Sequence, residues 1–266
     1  MPITLESSTF RLTVLPEQGG KVSKLYHHRL GRNLLLPRLP GSDLPLPDGA
    51  VFSVSGWDEC LPTVEASLGV PELGYAWRTE PRCRIEDNRL LTCWEVPGWR
   101  LERVITVEER GVTSRCAMTN VGPQYAPLLW AGHVLFPLEG LREVVLPGGD
   151  LLPGPGCDVE ELARERLSGD CDGWQVRDLR RRHLSWKFFL PATHPVVMHY
   201  KDATLTLSTD AGWWGIWLNE GNFCDLLCLG VEPTNAPSDA QADSHIRIPS
   251  GGTAAVSWTL EVVCYA

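Results

Sequence analysis

Residues 99–120 read "WRLERVITVEERGVTSRCAMTN", and this stretch decides the fold class. Its β-branched and aromatic residues recur near every second position, which is typical of strands with one buried face. The "EERG" in the middle of the stretch carries turn-forming residues. The stretch therefore predicts two strands joined by a turn.

Strand patterns of the same kind recur along the chain. They are "TFRLTVLP", "GKVSKLYH", "CRIEDNRLLTCWEV", "PVVMHYKDATLTLSTD" and "AAVSWTLEVVCYA". Turn signals such as "EDNR", "YKDA" and "PSGG" separate the strands, and 25 Gly and 21 Pro fit a chain with many turns. The length of 266 residues leaves one or two domains open. Because no repeat is visible, we predict an all-β protein, with one large antiparallel β-sandwich domain over residues 1–266.

One stretch has a helical pattern. "DVEELARER", residues 158–166, predicts a short helix with Asp158 as its N-cap. It lies within the Gly- and Pro-rich segment 146–174, which we interpret as an excursion from the sheets rather than a linker between domains. Long segments of this kind inside compact domains are usually functional or mobile.

The composition excludes several classes of protein. With 43% hydrophobic residues the chain can bury a sizeable core. A net charge of −9 argues against a nucleic-acid partner, which requires clustered Lys and Arg. The one basic stretch, "RDLRRRHLSWK" at 177–187, is interpreted as a solvated surface segment, with a patch that contacts an anionic substrate as the alternative.

The cysteines and the N-terminus indicate where the protein resides. The nine cysteines are odd in number, irregularly spaced and without C-x-x-C, which favours free thiols and a reducing cytoplasm. Cys224 and Cys228 lie in an apolar stretch and suit buried thiols. The first residues, "MPITLESSTF", have no signal-peptide pattern, and no apolar run reaches the roughly 20 residues needed to span a membrane.

Two polar residues in apolar surroundings are the main candidates for chemistry. Glu232 follows the apolar run "LLCLGV" and precedes Pro233, so it is either a carboxylate with a raised pKa that acts as a base or an exposed residue at a strand end. His133 lies in "PLLWAGHVLFPL", so it is either a hydrogen-bonded core histidine or a general acid near neutral pH.

The stretch "SGWDECLPTV" at 55–64 offers further candidates. Its adjacent carboxylates, Asp58 and Glu59, invite comparison with the carboxylate pair of glycosidases. Neighbours on a strand face opposite ways, however, so only one of the two can point into a site. Most of the eleven tryptophans are expected to pack in the core, and a few could stack against a sugar ring, with Trp57, Trp77, Trp130 and Trp217 nearest the polar candidates.

Motifs for metals, phosphates and a serine nucleophile are missing from the sequence. The remaining histidines lack H-x-x-x-H or H-E-x-x-H spacing, no Gly-rich phosphate loop follows a strand, and no G-x-S-x-G is present. We therefore predict that the protein uses no cofactor and no metal.

Several stretches, taken in their order along the chain, resemble motifs of the aldose 1-epimerase (galactose mutarotase)-like superfamily. "LPEQGGKVSKLYHHRLGRNLLLP" resembles its opening strand pair, and "GWDECLPTV" is similar to its "G-[FW]-D-E-x-x-P-T". The later stretches that resemble this superfamily are "LERVITV", "NVGPQYAPLLWAGHVLFPL", "WLNEGNF" and "LGVEPTNAPSDA". Each motif is loose, but their order along nearly the whole chain makes the match fairly specific.

The resemblance implies a galactose mutarotase-like β-supersandwich with a shallow groove that binds a hexose. It further implies an isomerase that interconverts the α and β anomers of an aldose. In this family a Glu takes the proton of the anomeric hydroxyl and a His protonates the ring oxygen, and Glu232 and His133 match these positions. Pro233 would then stiffen the chain where it leaves the strand.

The chain departs from the family pattern at one position. Relatives usually carry a His in "P-D-H-G-x-x-W", whereas "PELGYAW" at 71–77 has Leu73 there. Two alternatives to an epimerase of free aldoses therefore stay open: a carbohydrate-binding protein with little or no catalysis, and a hexose-6-phosphate 1-epimerase in which the Arg-rich residues 177–182 face the groove.

The sequence thus predicts a small-molecule sugar as the partner, with neither nucleic acid nor membrane involved. Lys187 matches a lysine of some relatives and Arg103 lies on the matching strand, although surface or structural roles are open for both. The residues predicted to bind the substrate are Trp57, Asp58, Glu59, Trp77, Arg103, Lys187 and Trp217.

Overall fold

The computed structural model describes residues 1–170, 173–176 and 183–265. The strands of the first half of the chain are β1 Ile3–Glu6, β2 Phe10–Leu15, β3 Lys21–His27, β4 Arg32–Asn33, β5 Asp43–Pro45, β6 Val51–Ser53, β7 Trp57–Cys60, β8 Arg82–Glu86, β9 Arg89–Val96, β10 Trp99–Val107, β11 Gly111–Asn120 and β12 Ala126–Pro127. Short 3-10 helices follow β2, at Pro16–Gln18, and precede β8, at Ala76–Arg78.

The second half continues in the same way. Its elements are β13 Ala131–Pro137, β14 Leu141–Pro147, β15 Leu152–Pro153, α1 Val159–Arg166, β16 Leu167–Asp170, β17 Gly173–Val176, β18 Ser185–Pro191, β19 Val196–Tyr200, β20 Ala203–Thr209, β21 Trp213–Glu220, β22 Leu227–Thr234, β23 Arg247–Ile248 and β24 Thr253–Cys264. A third 3-10 helix lies at Gln241–Asp243.

These strands form two ten-stranded sheets, with two small two-stranded sheets beside them. The first sheet has the order β1-β2-β3-β7-β13-β22-β21-β18-β15, with β4 paired to β3. The second sheet has the order β16-β17-β14-β19-β20-β24-β11-β10-β9-β8. The strand neighbours are antiparallel throughout, from β1 with β2 to β20 with β24. The predicted all-β antiparallel sandwich is confirmed.

The stretch 99–120 forms the expected pair of strands. β10 and β11 are in register from Trp99 opposite Asn120 to Val107 opposite Val112. The residues of β10 alternate between buried and more exposed positions, as the period of two predicts. The buried face of this hairpin packs into an apolar cluster that runs through both sheets.

The described residues of the segment 146–174 form more regular secondary structure than the composition indicates. It holds the end of β14, then β15, α1, β16 and the first residues of β17. The predicted helix is confirmed, and the Asp158 side chain accepts a hydrogen bond from the Glu161 amide, as an N-cap does. No helix in the described part of the chain is long and apolar enough to cross a membrane. The prediction of one domain over residues 1–266 stays a prediction.

One buried ion pair crosses the interior of the sandwich. Arg103, on β10 of the second sheet, donates from Nη1 to Oε1 of Glu59, on β7 of the first sheet, at 3.1 Å. Both residues are 1% exposed. The indole N–H groups of Trp57 and Trp130 donate to the two oxygens of Glu59 at 3.0 and 2.7 Å. The guanidinium of Arg103 lies over the rings of Trp57 and Trp94.

A glycine pair lets the chain approach this centre. Gly19 and Gly20 have φ of 66° and 72°, in the left-handed region that glycine adopts at low cost. A Cβ on Gly19 would lie 1.7 Å from the carbonyl oxygen of Trp77, and one on Gly20 would lie 2.7 Å from the ring of Trp94. The Gly20 carbonyl accepts a hydrogen bond from Arg103 at 2.8 Å. The "GG" of the opening motif is therefore required by the backbone.

Replacing Arg103 with Met tests the importance of this ion pair. The variant leaves Glu59 buried without its cation, and removal of one partner of a buried pair typically costs about 3–5 kcal/mol of the free energy of unfolding. Urea unfolding of Arg103→Met measures the loss. The control is Arg100→Met on the same strand, where the ion pair with Glu95 is exposed and should contribute little to stability. Equal losses in both variants would contradict a central role for Arg103.

Candidate active site

Three neighbouring strands of the first sheet bring polar residues into one row. In the pairing of β7 with β13, His133 lies opposite Asp58. β13 and β22 pair with Ala131 opposite Thr234 and Leu135 opposite Gly230, so His133 also lies opposite Glu232. Residues directly opposite each other point to the same face of a sheet. Asp58, His133 and Glu232 therefore share the face of the first sheet that points away from the core.

The next two strands extend this polar face. Trp217 on β21 lies opposite Gly230 on β22, and Lys187 on β18 lies opposite Trp217. Because Gly230 is two residues from Glu232, its neighbours Trp217 and Lys187 are on the same face as Glu232. Four predicted site residues, namely Glu232, His133, Lys187 and Trp217, are thus brought together.

One glycine makes room for the carboxylate of Glu232. A Cβ on Gly230 would lie 2.8 Å from Oε1 of Glu232, closer than such an atom can approach. A Cβ on Gly215, opposite Glu232 on β21, would lie 3.5 Å from Oε2, which is ordinary van der Waals contact. Larger side chains at Gly230 would therefore displace the carboxylate, which explains why a glycine interrupts this buried strand.

Lys187 faces two carboxylates. Its Nζ donates to Oε2 of Glu232 at 2.5 Å and lies 3.5 Å from Oδ1 of Asp239. Burial lowers the pKa of Lys187, but the charges of Asp239 and Glu232 outweigh it and raise the pKa to about 12. Burial raises the pKa of Asp239, with Lys187 opposing this and Glu232 adding to it. The other oxygen of Glu232, Oε1, is buried and has no hydrogen-bond partner in the described part of the chain.

His133 is a neutral imidazole at neutral pH. Burial lowers its pKa to about 3, helped by the positive charges of Lys187 and Lys21. The ring meets Phe52 edge to face at a centroid distance of 5.8 Å and is tilted against Trp217 at 6.2 Å. Its Nδ1 atom is buried, and among the described residues nothing hydrogen-bonds to it. The alternative of a core histidine whose hydrogen bonds are satisfied by protein therefore does not account for this atom.

These residues line a cleft with a volume of about 290 Å³. This volume lies just below the roughly 300–1,000 Å³ of small-molecule sites, and it suits a ligand of one ring. His133, Glu232, Lys187 and Trp217 form what we call the cleft floor, since they belong to the central strands of the sheet. Asp239, in the segment after β22, also lines the cleft, whereas most of the surrounding side chains are apolar.

Asp58 lies on the cleft face, where its Oδ2 is engaged by a cation and its Oδ1 is buried without a hydrogen bond from the described residues. It forms an ion pair with the ammonium of Lys21, which also donates to the carbonyls of Ser53 and Ser55 at 3.0 and 2.7 Å. Burial raises the pKa of Asp58, and the charge and hydrogen bond of Lys21 oppose this. The buried pair sits beside His133 on the neighbouring strand and does not line the cleft.

The remaining predicted binding residues do not meet the others in the cleft. Trp57, Glu59 and Arg103 form the interior network described above, so Asp58 and Glu59 face opposite ways, as neighbours on a strand must. Trp77 contacts Phe52 edge to face at 5.0 Å and does not itself line the cleft. The Arg-rich residues 177–182 lie outside the described residues.

Sequence reasoning missed two members of the site. Asp239 lies seven residues after Glu232 in "TNAPSD", where an Asp is also typical of a turn. Phe52 belongs to the short strand β6 and carries no signal in the sequence. Both come near Glu232 and His133 only through tertiary structure.

No protein-family model matches the sequence, and no curated protein matches it. Solved structures do match. A putative aldose 1-epimerase from Escherichia coli K12 superposes with a TM-score of 0.75 at 14% identity, over 100% of this chain and 99% of that chain. A galactose mutarotase related enzyme from Lactobacillus acidophilus gives a TM-score of 0.75 at 10% identity, over 100% and 98%. A GalM/aldose epimerase homologue from C. elegans gives 0.68 at 12% identity, over 100% and 99%.

The fold is therefore that of the aldose 1-epimerase and galactose mutarotase-like proteins, as the sequence motifs predicted. Sequence identities of 10–14% establish the fold and leave the chemistry to be argued from the site.

The protonation state of His133 can be measured directly. We expect the ring C–H resonances of His133, assigned by their loss in His133→Asn, to stay in the neutral form between about pH 8 and pH 5, whereas an unperturbed imidazole titrates near 6.5. Because the pKa is lower in the folded chain, the unfolded chain binds the proton first, so stability falls as the pH drops from about 6.5 towards 3. Urea unfolding should show a smaller acid-side loss in His133→Asn. Titration of His133 between about pH 6 and 7 would contradict its desolvation.

Proposed function

We propose that the protein is an aldose 1-epimerase-like isomerase, with Glu232 as the base and His133 as the group that acts on the ring oxygen. The observation that carries this proposal is that both residues line the floor of a cleft sized for one ring, at positions that the register of β13 and β22 sets opposite each other. Each offers a buried atom without a hydrogen bond from the described protein, Oε1 of Glu232 and Nδ1 of His133. Such atoms are costly unless a ligand or water satisfies them.

The reaction needs only proton transfers. Glu232 takes the proton of the anomeric hydroxyl, the C1–O1 bond becomes a carbonyl, and the bond from C1 to the ring oxygen breaks. The ring oxygen receives a proton, the C1–C2 bond rotates, and closure on the other face returns both protons. General base catalysis of this kind typically contributes about 10²–10⁴-fold in rate.

His133 acts in this scheme as a neutral donor. With a pKa of about 3, His133 carries no imidazolium to transfer at neutral pH. It therefore does not act as the general acid with a near-neutral pKa that the sequence suggested. A neutral imidazole N–H can still polarise an oxygen on which negative charge develops. The N–H proton moves to the ring oxygen as its bond to C1 breaks, which leaves an imidazolate, and the imidazolate takes the proton back from the C5 hydroxyl when the ring closes.

Lys187 and Trp217 position the reacting groups. Lys187 holds Oε2 of Glu232, which leaves Oε1 to the anomeric hydroxyl. The indole of Trp217, whose N–H is bonded to the Ser185 hydroxyl at 2.9 Å, provides a flat apolar surface beside Glu232 for a sugar ring.

Different observations bear on the two alternative functions, a carbohydrate-binding protein and a hexose-6-phosphate 1-epimerase. A carbohydrate-binding protein without turnover is favoured by the unprotonated His133 and by apolar Leu73 in the cleft wall. A sugar phosphate is disfavoured, because Lys187 is the one cationic side chain among the described lining residues and already faces Glu232 and Asp239.

Replacement of Glu232 by Gln tests the proposed base. The amide keeps the shape of the side chain and cannot accept the proton, so anomer exchange should fall by about 10²–10⁴-fold. One-dimensional exchange NMR on a panel of free and phosphorylated aldoses measures the rate and binding together. Glu261→Gln, at an exposed position of β24 in the second sheet, is the matched control. Unchanged anomer exchange in Glu232→Gln would exclude Glu232 as the base. Sugar binding without anomer exchange in the wild type would favour the alternative function, a carbohydrate-binding protein without turnover.

Replacement of Lys187 by Met tests its positioning role. The variant leaves Glu232 and Asp239 without their shared cation, and loss of a nearby positive charge disfavours ionised carboxylates. We expect the acid limb of the pH–rate profile to move to higher pH, and Lys187→Arg, which keeps the charge, to restore it in part. A lower rate with an unshifted profile would show that Lys187 does not act through the carboxylates.

A further inference from the structure

The cleft is polar on its floor and apolar on its walls. The apolar side chains of the walls are Leu44, Phe52, Val54, Val64, Leu73, Pro155 and Phe223. All of them except Pro155 belong to, or pack against, a second apolar cluster that is separate from the core between the sheets. They come from four regions: β5 and β6 with the residue after β6, the segment between β7 and β8, the segment between β15 and α1, and the loop after β21. Most ring substituents that leave the floor would therefore meet hydrocarbon.

The proposed chemistry orients a sugar between these walls. With its anomeric hydroxyl at Glu232 and its ring oxygen at His133, a pyranose must place C5 on the His133 side, since C5 is bonded to the ring oxygen. The neighbour of His133 there is the ring of Phe52, at 5.8 Å. The C5 substituent therefore points towards the Phe52 side of the wall.

Few polar atoms that line the cleft on that side are available to a hydroxyl, since Oδ1 of Asp58, which is buried without a hydrogen bond from the described residues, does not line it. Lys21 lies near Phe52, but its ammonium already serves Asp58 and the carbonyls of Ser53 and Ser55, which uses its three N–H groups. Glu72 is the one polar side chain among the described wall residues, and it is only half-buried. A buried hydroxymethyl group at C5 would thus lack a firm partner, and desolvation without a hydrogen bond is unfavourable.

Leu73 shows that the wall is kept apolar at a cost. Its φ is 62°, in the left-handed region where leucine is strained, and its side chain is only 7% exposed. Its amide donates to the Val64 carbonyl at 2.6 Å, which holds the two wall residues together. Asn or Gly would suit this backbone better, so the leucine contributes its apolar side chain.

The geometry points to 6-deoxyhexoses, sugars with a methyl group at C5, as the preferred substrate class, an inference that rests on the proposed function. The methyl group fills the space by Phe52 and Leu73 that a hydroxymethyl or phosphorylated group would occupy without partners. Discrimination by an apolar pocket against an added hydroxyl reaches roughly 10- to 100-fold.

Matched pairs of sugars that differ only at C6 test the inference. The pairs are D-fucose with D-galactose, L-rhamnose with L-mannose, and 6-deoxy-D-glucose with D-glucose. Exchange NMR gives kcat/KM for each, and ligand-observed NMR on the same samples gives binding. We expect the deoxy member to be favoured by about 10- to 100-fold in kcat/KM in at least one pair, with the effect also seen in binding.

The outcomes separate this inference from the proposed function. Exchange of anomers without preference for a deoxy member in any pair overturns the substrate class and leaves the epimerase standing. Preferential binding of a deoxy sugar without exchange overturns the epimerase and supports the substrate class. Neither binding nor exchange of any sugar overturns both.

A wall variant provides an independent test. Leu73→Asn fits the left-handed backbone and adds a polar group, so preference should move towards the hydroxymethyl sugars by roughly two- to tenfold, the effect of one hydrogen bond. Leu68→Asn is the matched control, because Leu68 has φ of 52° but is 68% exposed and does not line the cleft. Equal preferences in the two variants, both folded, would contradict a role for the Leu73 wall in selecting the sugar.

Discussion

The buried ion pair between Glu59 and Arg103 is the interaction on which the site depends. It joins β7 of the first sheet to β10 of the second through the middle of the sandwich. Charges removed from water are costly unless their hydrogen bonds are satisfied, and here Trp57 and Trp130 complete the carboxylate. Because strand residues alternate, fixing Glu59 inward presents Asp58 outward, next to His133 on β13. The interior thus sets the position of the strands that carry the cleft.

On the outer face, the charges around Glu232 constrain what the cleft can do. Glu232 and Asp239 share the one ammonium of Lys187, while His133 is uncharged. This balance suits proton abstraction from a neutral hydroxyl and disfavours a second anion such as a phosphate. The apolar walls add a further restriction, since they offer little to a substrate rich in hydroxyls beyond the floor.

The motifs that resemble the aldose 1-epimerase-like proteins largely serve the fold. Gly19 and Gly20 are required by close backbone approach, and Glu59 and Arg103 neutralise each other in the core. Asn235, just after Glu232 in the chain, bonds the Trp130 amide at 2.7 Å and so ties the chain after β22 to the entrance of β13. Identities of 10–14% thus accompany a common fold without establishing a common activity.

The sequence alone determined the strands, because the period of two in "WRLERVITV" and the turn residues after it are local signals. It also determined the helix after Asp158 through the capping residue. It also marked Glu232 and His133, because polar residues inside apolar runs are conspicuous. Only the tertiary structure decided that the two lie opposite each other, that Lys187 and Asp239 adjoin Glu232, and that Glu59 and Arg103 belong to the core. The register between strands about a hundred residues apart in the chain is set by the packing of whole sheets, which no local sequence pattern records. The low pKa of His133 follows from the burial that this register creates.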